Sequence, residues 1–149
     1  MFRDEVGQRS VVLILDLAPD LPKLTGDPVQ IQQVLVNLVS NAFDAIASAQ
    51  PLGPTVLIQT KRVDSGGVEF CVTDNGEGID QERLTRVFDA YFSTRAGGLG
   101  MGLAISRTII EAHEGRLTVD SVPGITTTFR FTLPAARGDD DGTNSLHRG

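Results

Sequence analysis

The sequence predicts an α+β fold: a two-layer sandwich whose mixed, mostly antiparallel sheet carries helices on one face. Three observations lead there. Apolar stretches of strand and helix length follow the order strand, helix, strand, strand, loop, helix, strand, strand. Short turn-forming segments join consecutive strands as hairpins, which makes much of the sheet antiparallel and excludes a Rossmann arrangement. The chain has 149 residues, enough for one domain with its own core.

The elements follow in order. SVVLILDL at 10–17 is apolar and β-branched, with only partial alternation because of Asp16, and reads as a strand. A turn-rich stretch leads to Asp27 and Pro28, a helix start: Asp caps free N–H groups and Pro fits the first helical position. The helix is predicted from Pro28 to about Ala49, with Ile31, Val34, Leu35, Leu38, Ala42 and Ile46 as its apolar face. PLGP at 51–54 is expected to stop it. Strands are predicted over Thr55–Arg62 and Val68–Thr73, joined by a DSGG turn. A glycine-bearing stretch, 74–102, follows, with one short helix near Gln81–Val87. A second long helix is predicted over Leu103–Ala112. The last strands, Arg116–Ser121 and Thr127–Leu133, meet across a VPGI turn.

Composition narrows the class. The net charge of −6 and the absence of aromatic–basic interleaving argue against a nucleic-acid binder. No apolar run nears the roughly 20 residues that span a bilayer, and the charged start MFRDEVGQRS is not read as a signal peptide. Cys71, the only cysteine, lies in an apolar stretch and reads as packing. These features suit a reducing cytoplasm, the expected location.

Three stretches carry chemistry. Asn37, Asn41 and Asp44, spaced four and three apart, fall on one side of the first helix. Asn is a mediocre helix former, so the pair either faces a polar ligand, such as magnesium or a phosphate, or points to solvent or caps a neighbouring loop. TDNGEGI at 73–79 places Asp74 at a strand end beside Gly76 and Gly78. It is either an ordinary turn or a carboxylate that accepts from an amino group, with glycines admitting a flat ring. GGLGMGLAI at 97–105 leads glycines into a helix N-terminus, either an anion site or a hinge. No GK[ST] follows, so it is no P-loop.

Taken in order, NLVSNAFDAI (37–46), DNGEGI (74–79), VFDAYFSTR (87–95), GLGMGL (98–103) and TTTFRFTLP (126–134) resemble the successive boxes of the histidine-kinase ATP-binding domain. The style is similar to that of the nitrogen-regulation and oxygen-sensing sensor kinases. The likeness runs from Val11 to Pro134, and five ordered motifs make it specific. The resemblance implies a catalytic domain over 1–134 with a flexible ATP lid, a disordered polar tail over 135–149, and ATP and Mg2+ as cofactors. It implies that Asn41 ligates magnesium, with Asn37 and Asp44 nearby. Asp74 would accept from the adenine amine, with Gly76, Gly78 and Ile79 around the ring and Thr127 beside it. Phe88 and Phe92 would anchor the lid, or else belong to the core. Arg95, Gly98, Leu99, Gly100, Met101, Gly102 and Leu103 would form the lid and phosphate loop. Two positions depart from the pattern: Thr126 stands where the family often has Gly, and Arg95 where it usually has Lys.

The implied partners are a histidine-bearing dimerisation domain and a response-regulator receiver domain, with the isolated domain expected to be a monomer. His113 ends a helix, where a cation is favoured, and reads as structural. His147 lies in the tail. Neither is expected to accept phosphate. ATPases of the same superfamily typically carry Glu four residues before the metal-binding Asn, as general base for water. Asn37 occupies that position and cannot take a proton, which favours phosphoryl transfer over hydrolysis. A degenerate ATP-binding regulatory module and a superfamily ATPase are the alternatives.

Overall fold

The computed structural model describes residues 10–89 and 102–136. Its elements are β1 (Val12–Leu17), α1 (Pro28–Ala49), β2 (Thr55–Arg62), β3 (Val68–Asp74), the short α2 (Gln81–Leu84), α3 (Gly102–Ala112), β4 (Arg116–Val122) and β5 (Thr126–Leu133). The sheet order is β1-β2-β3-β5-β4. β1 runs parallel to β2 because α1 carries the chain back across the sheet; the other pairings are antiparallel.

Helix α1 starts as the sequence predicts. Asp27 Oδ1 accepts the amide hydrogens of Val29 (2.9 Å) and Gln30 (3.5 Å), and Pro28 opens the first turn. It ends one step before PLGP, with Gln50 in the left-handed region at φ 52° and its N–H on the Ile46 carbonyl.

One face of the sheet packs on the helices. Along β3 and β5 the register pairs Val68 with Leu133, Phe70 with Phe131, Val72 with Phe129 and Asp74 with Thr127, so these eight residues share the inner face. Phe131, fully buried, stacks on Phe70 with ring centroids 4.6 Å apart. The α1 residues Val34, Leu38, Ala42 and Ile46 close the core from above. The outer face is polar, with Lys61 paired to Glu69, Arg130 to Asp120 and Thr73 to Thr128. Cys71 also belongs to it, and burial raises its thiol above the ordinary value.

β1 is an edge strand whose apolar side chains are largely exposed. The polar tail does not begin at 135: Ala135 bridges to Leu24, and the Ala136 N–H donates to the Lys23 carbonyl at 2.8 Å.

His113 is structural, as expected, and links two helices through its ring. Its Nε2 accepts the Asp27 N–H at 3.0 Å, and Nδ1 donates to the Ile109 carbonyl at 2.8 Å. The ring thereby ties the end of α3 to the start of α1.

Candidate functional site

The site is built on one stripe of α1. Asn37, Asn41 and Ala45 follow at i, i+4 and i+8, about 6 Å apart along the axis at each step. Both ends of the stripe are pinned. Asn37 Nδ2 donates to Ser106 Oγ at 3.1 Å and to the Gly102 carbonyl at 3.4 Å, fixing the start of α3. At the other end Gly76 lies against Ala45: an added Cβ would sit 2.5 Å from the Ala45 carbonyl carbon. Asn41, half-buried, is midway between the two pins. Asp44 departs from the stripe and lines a groove on the side of α1 that faces β1.

Below the stripe is the end of β3. Asp74 is buried and accepts the Gly76 N–H at 2.8 Å. Burial pushes its carboxyl up to about 7; the Gly76 bond opposes this and the nearby Glu77 charge adds to it. Thr127, also buried, is its register partner on β5. Ser121 on β4 pairs with Thr127 in turn, so Asp74, Thr127 and Ser121 form a polar row across β3, β5 and β4.

The loop after Asp74 is held on both flanks. Asn75 Oδ1 accepts the Thr55 N–H at 2.9 Å, and its Nδ2 donates to the Gly53 carbonyl at 3.0 Å. The Ile79 N–H donates to Ser121 Oγ at 2.7 Å, and the Gly124 N–H to the Glu77 carbonyl at 2.7 Å. Gly78 has φ 72°, and an added Cβ there would meet the Val122 carbonyl oxygen at 2.5 Å. Both glycines therefore answer to packing against α1 and the β4–β5 turn, a requirement separate from any ring they admit.

Phe88, expected as a lid anchor, packs edge-on to Phe129 at 6.3 Å, and the Arg107 guanidinium lies over its ring at 5.3 Å. Leu103 packs against the core from the first turn of α3. The structure places Asn37 and Asn41 on α1, Asp74 at the end of β3, Gly76, Gly78 and Ile79 in the loop that follows it, Gly102 at the start of α3 and Thr127 on β5, with α1 in contact with that loop through Ala45 and with α3 through Asn37. Phe92, Arg95, Gly98, Leu99, Gly100 and Met101 lie outside the described residues, as does the lid expectation itself. Sequence reasoning missed Asn75, Ser106 and Ser121. Asn75 sits inside a motif already singled out, whereas a serine in a strand or helix leaves no periodic signal.

A sheet backed by two long helices, with a buried carboxylate at the end of its central strand above a glycine loop, defines a nucleotide-binding ATPase-type domain. The chain belongs to the histidine kinase-, DNA gyrase B- and HSP90-like ATPase family, whose profile matches residues 26–137. Sensor protein FixL of Bradyrhizobium diazoefficiens is 43% identical over 129 residues, covering 87% of this chain and 25% of that protein. The structure of full-length ShkA in complex with AMPPNP matches with a TM-score of 0.74 at 28% identity, over 90% of this chain and 27% of that one. A mycobacterial sensor histidine kinase, MprB, matches at 0.72 and 26% identity, over 83% of both chains. The chain spans about a quarter to a third of several full-length relatives. It is an ATP-binding catalytic domain of the sensor histidine kinase type. Among the described residues no helix is long and apolar enough to cross a membrane.

Proposed function

We propose that this domain binds Mg-ATP in the gap between α1, the 74–79 loop and the start of β5. There it would present the γ-phosphoryl group to a histidine on a separate dimerisation domain, for onward transfer to a response-regulator receiver domain. The observation that carries the reading is Asp74: a carboxylate buried at a cost, beside Thr127, under a loop fastened on both flanks. Burying a carboxylate costs stability, so its retention favours a ligand that it recognises. The adenine amine is such a ligand, because a carboxylate accepts and the amine donates.

The donor set fits magnesium only when phosphate is present. Among the described residues no three His, Cys, Asp or Glu side chains come together to hold a metal. Asn41 would contribute one hard oxygen and the triphosphate the rest, the usual way a magnesium ion is held beside a nucleotide. Bound magnesium supplies charge neutralisation on the phosphates. The domain supplies alignment, since phosphoryl transfer leaves little covalent work for a protein.

Asn37 uses its amide to join α1 to α3. A side chain in that structural role, with no basic oxygen, does not activate water, which supports transfer over hydrolysis. Calorimetry with a non-hydrolysable ATP analogue, with and without magnesium, tests the reading. The expected result is magnesium-dependent binding that falls at least tenfold in Asp74→Asn. Equal affinity in both proteins would refute the assignment of Asp74.

A further inference from the structure

We propose that Ser121 is a positioning residue for the nucleotide base: it fixes the Thr127 hydroxyl as a hydrogen-bond acceptor beside Asp74. The inference deepens the function proposed above and rests on it.

The argument is a count of protons. A serine hydroxyl has one hydrogen to donate and two lone pairs to accept with. Ser121 Oγ lies 2.8 Å from the Thr126 carbonyl, which can only accept, so the serine proton goes there. The Ile79 N–H, 2.7 Å away, can only donate, and takes one lone pair. The remaining neighbour is Thr127 Oγ1 at 3.0 Å. With the serine proton committed, Thr127 donates to Ser121 and occupies the last lone pair. Thr127 then has no proton left for the site and offers only lone pairs there.

Asp74 stands directly across β3 and β5 from Thr127, on the same inner face. Side chains of such a pair have Cβ atoms about 5 Å apart. Two acceptors side by side suit a group with two N–H bonds and repel a carbonyl. That is the difference between adenine, with an exocyclic amine, and hypoxanthine, with an oxygen at the same position. Base discrimination is then shared by Asp74 and Thr127, and Ser121 sets the sign of the second contact. Without the serine hydroxyl, Thr127 is free to turn its proton toward a carbonyl.

The test is calorimetric affinity for Mg-ADP and Mg-IDP, read as their ratio, in the wild type and in Asp74→Asn, Ser121→Ala, Ser121→Val, Ser121→Thr and Thr127→Val. The wild type is expected to prefer ADP, and Asp74→Asn to lose that preference. Ser121→Ala and Ser121→Val should each lower the ratio about three- to tenfold, the scale of one net hydrogen bond. Ser121→Thr should restore it, since threonine keeps the hydroxyl and valine only its shape. Thr127→Val should lower it as much, and adding Ser121→Ala to it should change little more. A merely structural serine would weaken ADP and IDP by the same factor, or make Val and Thr equivalent at 121, and either result overturns the proposal. A wild type without ADP preference removes the base site itself, and the Ser121 inference with it.

Discussion

The inner face of the sheet has two unlike halves. Over β3, β5 and β4, α1 and α3 bury Val72, Leu117, Phe129, Phe131 and Leu133. Over β1, the residues that share this face, Leu13, Leu15 and Leu17, are covered poorly: Leu15 is 59% exposed and Leu17 55%. There α1 leaves a groove of about 300 Å³, lined by Leu13, Leu35, Val36, Val39, Phe43 and Ile58. Polar residues are thus buried where apolar ones would pack, at Asp74 and Thr127, while leucines lie open at the edge. Stability alone would have sorted them the other way, and the proposed nucleotide site accounts for the polar row.

The largest expected effect lies in the closed half. Phe131→Ala removes a fully buried ring stacked on Phe70 and opens a cavity under α1. The cost should be about 3–5 kcal/mol, a large share of the 5–15 kcal/mol typical of a domain. The urea midpoint measures it. A loss below about 1 kcal/mol would mean that this half is as loosely packed as the other.

Asp74→Asn separates stability from function within the same half. Burial raises the Asp74 carboxyl from 3.8 to about 7. Between those values the folded chain holds a proton that the unfolded chain has released. Its contribution is therefore fully present below pH 3.8, and stability falls as pH rises through about 7. At about 1.4 kcal/mol per pKa unit the ceiling is on the order of 4 kcal/mol. Comparing urea midpoints at pH 5 and pH 8, the wild type should lose more stability than Asp74→Asn. The variant should be the more stable protein at pH 8 and the weaker nucleotide binder, the expected trade between a strained site and stability. Equal pH slopes would show that Asp74 is ionised without penalty.

Much of this was legible in the sequence, for local reasons. Asp27 and Pro28 mark the start of α1 because capping is a property of adjacent residues, and the hairpin turns announce themselves similarly. The strand order was not legible. Nothing in the spacing says that β5 inserts between β3 and β4, or that β1 lies at an edge with its leucines open. Likewise Asp74 and Thr127 are each readable as motif members, but their pairing across the sheet is a fact of register. Gly76 and Gly78 read as room for a ring; their contacts with Ala45 and the β4–β5 turn depend on tertiary packing. Asp44 follows the Asn residues at helical spacing, and only the position of β1 shows that it borders the groove.

The smallest expected effect tests the open half. In Leu15→Lys the new side chain has an apolar stem that keeps contact with the strand edge and an ammonium that reaches water from an exposed position. Replacing a side chain already 59% exposed removes little buried area, so the cost should stay within about 0.5 kcal/mol. A lysine on an edge strand also blocks pairing with a second sheet, so the variant should be no more prone to self-association than the wild type. The measurement is again the urea midpoint, beside light scattering at two protein concentrations. A cost above about 2 kcal/mol that grows with protein concentration would mean that the edge is buried between copies in solution. The contrast between the halves would then belong to the single chain and not to the working molecule. A cost of that size independent of concentration would place the cover within one chain.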